Sequence, residues 1–234
     1  MNIEVIASGS KGNAYLVDDG QTTILIEAGL RLSQLRHKTG AKVLALEGCI
    51  CSHSHADHSR GIKDLMGMGI DCYMSAEAAD SLAISHHHRC HIVTPLTYFT
   101  IGTWRGIIPI ETKHDAPGTL GFVLITTRGE KLVYLTDTPY SHYRFKGLSH
   151  LMIECNYTQE ILAWNAQSGD ITKAYKLRVM SNHMSLETVK AFLEAHDLDQ
   201  LRGIWLLHLS DSNADAERFK REVEELTGVP VTVA

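Results

Sequence analysis

Residues 53–58 read His-Ser-His-Ala-Asp-His, directly after the short apolar run Gly48–Cys51, and this hexad constrains the chain more than any other feature. Three imidazoles and a carboxylate within six residues make a poor piece of hydrophobic core. They are suitable ligands for zinc, and acceptable ones for manganese or iron. On an irregular loop, alternate side chains at this spacing reach two neighbouring points, so His53 and His55 can serve one ion while Asp57 and His58 serve a second. Accident is the rival explanation, because the chain carries fourteen histidines. Random placement of this composition yields on the order of 0.003 such matches per chain, which makes accident a weak rival.

Four residues leave the coordination of two ions incomplete, and the strand pattern shows where the rest lie. Short β-type runs are expected at Ile3–Ala7, Ala14–Val17, Thr23–Ile26, Gly48–Cys51, Ile70–Met74, Tyr98–Ile101, Gly106–Glu111, Leu120–Thr126 and Lys131–Leu135. Three more follow at His150–Glu154, Gly203–Leu207 and Val229–Val233. Helices are expected at Leu30–Lys38, Gly61–Met68, Ala76–Ile84, Gln159–Asn165, Leu186–His196 (with Ser185 as N-cap) and Ala214–Leu226. His114, Asp137 and His208 each stand just past an apolar run, where a strand gives way to its loop. Strands fall into two groups, each followed by helices, an order that suits two packed sheets with helices on their outer faces. No linker rich in Pro, Gly or Ser divides the chain, so 1–234 is expected to be one domain.

Composition narrows the function classes. At 234 residues, 44% hydrophobic and 21% charged, the chain can bury a sizeable core and shows no sign of disorder. The net charge of −5 comes with no basic run, which suits a small anionic substrate better than a long duplex. Five cysteines, odd in number and without thiolate-zinc spacing, read as reduced thiols in a cytoplasmic protein. No apolar run approaches the length of a membrane span.

Together the turn Ser-Gly-Ser-Lys-Gly-Asn at 8–13, the hexad, His114, Asp137, Glu154, His183 and His208 resemble the metallo-β-lactamase fold superfamily. The turn, with His-Met-Ser at 183–185 and His-Leu-Ser at 208–210, resembles the branch that includes tRNase Z and the YycJ/WalJ-like hydrolases. The resemblance implies an α/β fold, a four-layer αββα sandwich of two mixed β-sheets flanked by helices. It implies two divalent ions, zinc first and manganese second. One would be held by His53, His55 and His114, the other by Asp57, His58 and His208, with Asp137 bridging. A bridging hydroxide would then be the nucleophile. Glu154 and His183 match a relay that protonates the leaving group, Glu154 fixing the imidazole tautomer. Relatives commonly pair as homodimers. One departure stands out: Glu27, in Ile-Glu-Ala-Gly, occupies a place where the family usually has a supporting aspartate.

The expected activity is hydrolysis of phosphodiester bonds in nucleotides or nucleic acid, by a nuclease of YycJ/WalJ type or a cyclic-nucleotide phosphodiesterase. A thioesterase or lactonase is the alternative, because fold alone does not set chemistry. Three other features carry less. His86, His87, His88 and His91 read as a solvated loop. The 8–13 turn is either an anion cradle or a plain hairpin turn. Tyr140, His142, Tyr143 and Arg144 are candidates to line the substrate cleft.

Overall fold

The computed structural model describes residues 1–234, and the chain divides into two compact units. One is Met1–Glu111 with Ala116–Glu130; the other is Thr112–Asp115 with Lys131–Ala234.

The first unit is built on a six-stranded sheet in simple sequence order: β1 (Asn2–Ala7), β2 (Ala14–Asp18), β3 (Thr23–Ile26), β4 (Gly48–Ile50), β5 (Cys72–Met74) and β6 (Cys90–Ile92). β1, β2 and β3 run as an antiparallel meander, after which β3, β4, β5 and β6 are parallel. The parallel strands are short and apolar, as expected of strands covered on both faces. Leu25, Cys49, Cys72 and Met74 meet Leu35, Ile62, Leu65 and Ala78 in one core. The helices that supply those partners are α1 (Leu32–Thr39), α3 (Ile62–Gly67) and α4 (Ala76–Ser81). β7 (Gly106–Glu111) and β8 (Leu120–Ile125) form an antiparallel pair in the same unit.

The second unit holds four parallel strands in the order β9 (Lys131–Leu135), β10 (His150–Glu154), β11 (Gly203–Leu207) and β12 (Val231–Val233). β9 passes to β10 without a helix; helices α5 (Gln159–Ser168), α6 (Lys173–Asn182) and α7 (Leu186–Glu194) lie between β10 and β11, and α8 (Ala216–Thr227) between β11 and β12. Each starts on a side-chain cap: Thr158, Thr172, Ser185 and Asp215 accept from the backbone N–H three residues on. Such a cap stabilises its helix by about 1 kcal/mol. Because the strands are parallel, their carboxyl ends open at one edge, and there Asp137, Glu154 and His208 lie.

Four expectations need correction. Ala56–Ser59 is a helical turn, α2, rather than irregular loop, because the N–H groups of His58 and Ser59 close onto His55 O and that of Arg60 onto Ala56 O. Tyr98–Ile101 is no strand; only Phe99 bridges to Ile107. α6 has no counterpart among the expected helices, since Tyr175, Leu177 and Met180 face outward and blur its apolar period. β6 is a three-residue edge strand too short to announce itself.

Candidate metal centre

In the first unit the hexad is delivered by β4 and braced from three sides. His53 is buried at the start of the loop, its Nδ1 2.8 Å from Ser52 Oγ. Its Nε2 lies 3.1 Å from Nδ1 of His55. A ring N–H···N hydrogen bond draws the two imidazoles together at that distance, and two converging imidazole nitrogens are donors that fit a divalent cation such as zinc. His58 is also fully buried. Its Nδ1 is 3.5 Å from Glu27 Oε2, and its Nε2 is 3.5 Å from Asp57 Oδ2.

Glu27 directly follows β3 with φ +64°. A non-glycine residue in that region costs on the order of 1 kcal/mol or more, a strain that clusters at functional sites. Both carboxylate oxygens accept from the Ser52 N–H, at 3.3 and 3.2 Å. The longer acid thus does what a supporting aspartate would: it pins the entry to the hexad and faces the ring of His58.

The 8–13 turn is the hairpin connection between β1 and β2, closing at the Ala7–Ala14 pair, and it also carries Asn13 to the hexad. Asn13, fully buried, donates to Gly9 O and to Asp57 O at 3.2 Å each, and its Nδ2 is 3.1 Å from His58 Nε2. Its Oδ1 accepts from Gly9 N–H at 2.8 Å. Its own N–H donates to Asp57 O at 2.7 Å. The turn thereby holds the Asn13 amide against the hexad. Sequence reading missed this role of Asn13, and of Ser52, because both act across long stretches of chain.

In the second unit, Asp137, Glu154, His183 and His208 each present one ligand-type atom within 4.8 Å of the others. His183 Nδ1 is 2.6 Å from Glu154 Oε1 and 3.4 Å from Asp137 Oδ1. His208 Nδ1 is 3.1 Å from each of the same two oxygens. Glu154 Oε2 accepts from the N–H groups of Thr138 and Met184, which fixes the carboxylate. Asp137 and His208 have φ of +46° and +54°, so within this group two ligand-type residues carry the same kind of backbone strain as Glu27 does in the first unit. His183 follows α6 as its C-cap. Burial works to lower its pKa, but Glu154 and Asp137 outweigh it and push the imidazole up to about 10.

His114 lies past β7 with its Nε2 3.2 Å from Asp115 Oδ1. Asp115 Oδ2 accepts from Asn182 Nδ2 at 3.0 Å, which ties the His114 segment to the end of α6. Asn156 donates to His208 O at 2.7 Å. Asp115, Asn156 and Asn182 are further supporting residues that carried no sequence signal beyond adjacency to a histidine or a strand end.

In the 86–91 loop, His86 and His88 are exposed, as expected of a solvated segment. His91 stacks on Tyr73 and stands 3.1 Å from Asp71, while His87 accepts from the Arg89 N–H. Beyond Asp137, His142 stacks on Tyr143, and Thr138 Oγ donates to Tyr140 O.

Residues 22–209 match the family model described as the beta-lactamase superfamily domain. The chain is 27% identical over 224 residues to exodeoxyribonuclease WalJ of Streptococcus pneumoniae, covering 89% of this chain and 81% of the relative. It is 25% identical over 240 residues to exodeoxyribonuclease YycJ of Bacillus anthracis, covering 97% and 89%. The metallo-beta-lactamase fold protein YhfI from Bacillus subtilis superposes with a TM-score of 0.74 at 20% identity, over 99% of this chain and 95% of that one. The expected fold class, two mixed β-sheets flanked by helices in an αββα sandwich, is the fold these proteins share. The chain belongs to the beta-lactamase superfamily, with the metallo-β-lactamase fold.

Proposed function

We propose that this chain is a metal-dependent phosphodiesterase that hydrolyses nucleotide or nucleic-acid substrates, with 1–234 acting as one hydrolase domain. Its matched relatives are named exodeoxyribonucleases, and that chemistry is what the residues here are suited to. The observation that carries the reading is the 2.6 Å pairing of His183 with buried Glu154, on the edge where Asp137 and His208 also sit. An alkoxide leaving from phosphorus needs a proton, and an imidazolium held by two carboxylates is a proton donor.

In this proposal His53, His55 and His114 hold one divalent cation, Asp57, His58 and His208 hold the other, and Asp137 bridges. Zinc is the expected metal, given the nitrogen-rich donor set. When bound, the cations supply Lewis acidity, acidifying a water and offsetting charge on phosphoryl oxygens. The chain does the rest. Glu27 and Asn13 hold the hexad in place, Glu154 orients His183, and His183 delivers the proton. All five cysteines are free thiols, which suits a reducing compartment such as the cytoplasm. No helix is long and apolar enough to cross a membrane.

The test is a substrate panel with added Zn²⁺ or Mn²⁺: bis-p-nitrophenyl phosphate, cyclic mononucleotides, single- and double-stranded DNA, and a thioester. Phosphodiester cleavage that is abolished by chelation and restored by metal is expected. Cleavage of the thioester alone would sink the proposal. His53→Ala and Asp57→Ala should lose both bound metal and turnover.

A further inference from the structure

Behind the 8–13 turn two hydroxyls run towards the hexad, and the chemistry proposed above uses neither. β1 and β2 pair in regular register up to Val5 and Tyr15, then slip, so that Ile6 is an extra residue before the Ala7–Ala14 pair. Such a bulge bends its strand and re-aims the side chains around it. Just beyond it stands Ser8, whose Oγ lies 2.9 Å from the hydroxyl of Tyr15. Tyr15 is fully buried on β2, and its hydroxyl donates to Asn13 Oδ1 at 3.1 Å.

Counting hydrogens gives this chain a direction. The single hydrogen of Tyr15 goes to Asn13, so the Ser8 hydroxyl donates to Tyr15. Asn13 Oδ1 accepts twice, from Tyr15 and from the Gly9 N–H, which fills both lone pairs and fixes which end of the amide is oxygen. The Nδ2 end has two hydrogens and three acceptors around it: Gly9 O and Asp57 O at 3.2 Å each, and His58 Nε2 at 3.1 Å. Two of those acceptors are carbonyls. His58 Nε2 is therefore the one partner that can pass to a cation while both amide hydrogens stay bonded. The ring is turned for that exchange, with Nδ1 facing Glu27 Oε2 at 3.5 Å and Asp57 Oδ2 standing 3.5 Å from Nε2.

We propose that Tyr15 is a positioning residue for the hexad: its hydroxyl, backed by Ser8, locks the Asn13 amide so that Nδ2 holds the ligand nitrogen of His58 until a divalent cation takes it. The inference rests on the reading of Asp57 and His58 as metal ligands. Without the lock the amide can flip, and its oxygen would then face two carbonyls and the His58 lone pair with no hydrogen between them. A ligand held in its bound geometry binds more tightly because less ordering remains to be done. Tyr15 is well placed to set that geometry, since it pairs with Ile26, the neighbour of Glu27, on the adjacent strand. The rival account is ordinary burial, in which a core tyrosine takes any partner for its hydroxyl. Ser8 alone would satisfy that need; the contact with Asn13 is the one that reaches the hexad.

The experiment compares wild type with Tyr15→Phe, Ser8→Ala and Asn13→Ala. It reads zinc affinity by competition with a chelator, the visible absorption of the Co²⁺-saturated protein, and melting of the chelator-treated protein. Zinc affinity should fall about tenfold in Tyr15→Phe, up to about 100-fold in Asn13→Ala, and least in Ser8→Ala, the order of distance from His58 along the chain. The Co²⁺ bands of Tyr15→Phe should also shift at saturation, a sign of altered ligand placement that lost stability alone does not produce. Wild-type affinity and wild-type Co²⁺ bands in Tyr15→Phe overturn the inference, whatever its melting temperature. So does a loss of affinity that disappears at equal folded fraction, which leaves Tyr15 an ordinary buried phenol. If Tyr15→Phe does not fold, Asn13→Ala decides: weakened zinc binding with shifted Co²⁺ bands upholds the lock, and unchanged binding overturns it. A wild type that binds neither metal removes the metal reading and this inference together. One that binds metal through an intact Tyr15 lock yet cleaves no phosphodiester removes the proposed activity alone.

Discussion

Nδ1 of His183 lies 2.6 Å from Oε1 of Glu154, although the two residues are 29 positions apart and arrive on different elements. Glu154 is the last residue of β10 and is fully buried. His183 is the C-cap of α6, and the N–H of the next residue, Met184, returns to the other oxygen of the same carboxylate. One buried acid thus sets both the backbone and the ring of the histidine. Asp137 reaches the same Nδ1 at 3.4 Å.

This geometry predicts how His183 titrates in metal-free protein. Its folded pKa, about 10, lies above the ordinary histidine value of 6.5. The stability gained from the charged ring is therefore fully present below the unfolded pKa and is lost as pH rises through the folded one. Imidazole proton shifts followed by NMR should show one histidine titrating far above the rest, and Glu154→Gln should bring it down. A His183 that titrates near its usual value in the parent would contradict the pairing. In the metal-loaded enzyme, His183→Ala should cut turnover by about 10²–10⁴-fold with metal content retained; metal loss would make His183 a ligand instead.

Gly29 predicts a second, steric outcome. A Cβ there would stand 1.7 Å from Asp57 O and 2.5 Å from Asn13 N. Gly29 N–H also donates to Asn13 O at 2.8 Å, so the 8–13 turn, the end of β3 and the hexad converge on this one residue. Gly29→Ala must push the Asp57 backbone away. The expected result is a cost of several kcal/mol, at the upper end for single substitutions, or a folded protein with weakened metal uptake. Wild-type melting together with wild-type zinc content would refute it.

Much of this centre could be read from the sequence, and the part that could not shares one physical trait. Strands such as Lys131–Leu135, His150–Glu154 and Gly203–Leu207 are apolar runs with sharp ends, so their span was plain, and so was the position of Asp137, Glu154 and His208 beyond or at those ends. The Ser185 cap was equally plain, because capping is a local interaction. Asn13 was not, since its partners Asp57 and His58 lie 44 and 45 residues away. α6 escaped notice because its outward residues break the apolar period that reveals a helix.

Glu27 makes a third prediction. Both of its oxygens reach Ser52 N–H, and Oε2 faces His58 Nδ1 at 3.5 Å. Glu27→Asp keeps the charge but withdraws it by one methylene. Outer partners of metal ligands typically contribute 10–100-fold in affinity, so zinc affinity measured by competition with a chelator should fall within that range. Glu27→Gln, which keeps length and loses charge, should retain the Ser52 contact while still weakening metal binding. An Asp variant indistinguishable from wild type would mean that reach at this position is immaterial.

The link between His114 and His183 can be tested at Asn182, a residue that touches neither imidazole nitrogen. Its amide donates to Asp115 Oδ2 at 3.0 Å, while Asp115 Oδ1 faces His114 Nε2 at 3.2 Å. Asn182 is buried at the last turn of α6, so its loss frees both the acid beside His114 and the helix end that presents His183. Asn182→Ala should cost about 1 kcal/mol of stability, the usual net worth of a hydrogen bond. Its kcat should fall more than its KM changes, because what is disturbed is the placement of the proton donor. Asn182→Asp sets a carboxylate against Asp115 and should do worse on both counts, although it is the closer isostere. If Ala proves the more harmful of the two, the side chain matters for its volume, and the hydrogen bond to Asp115 does not position the site.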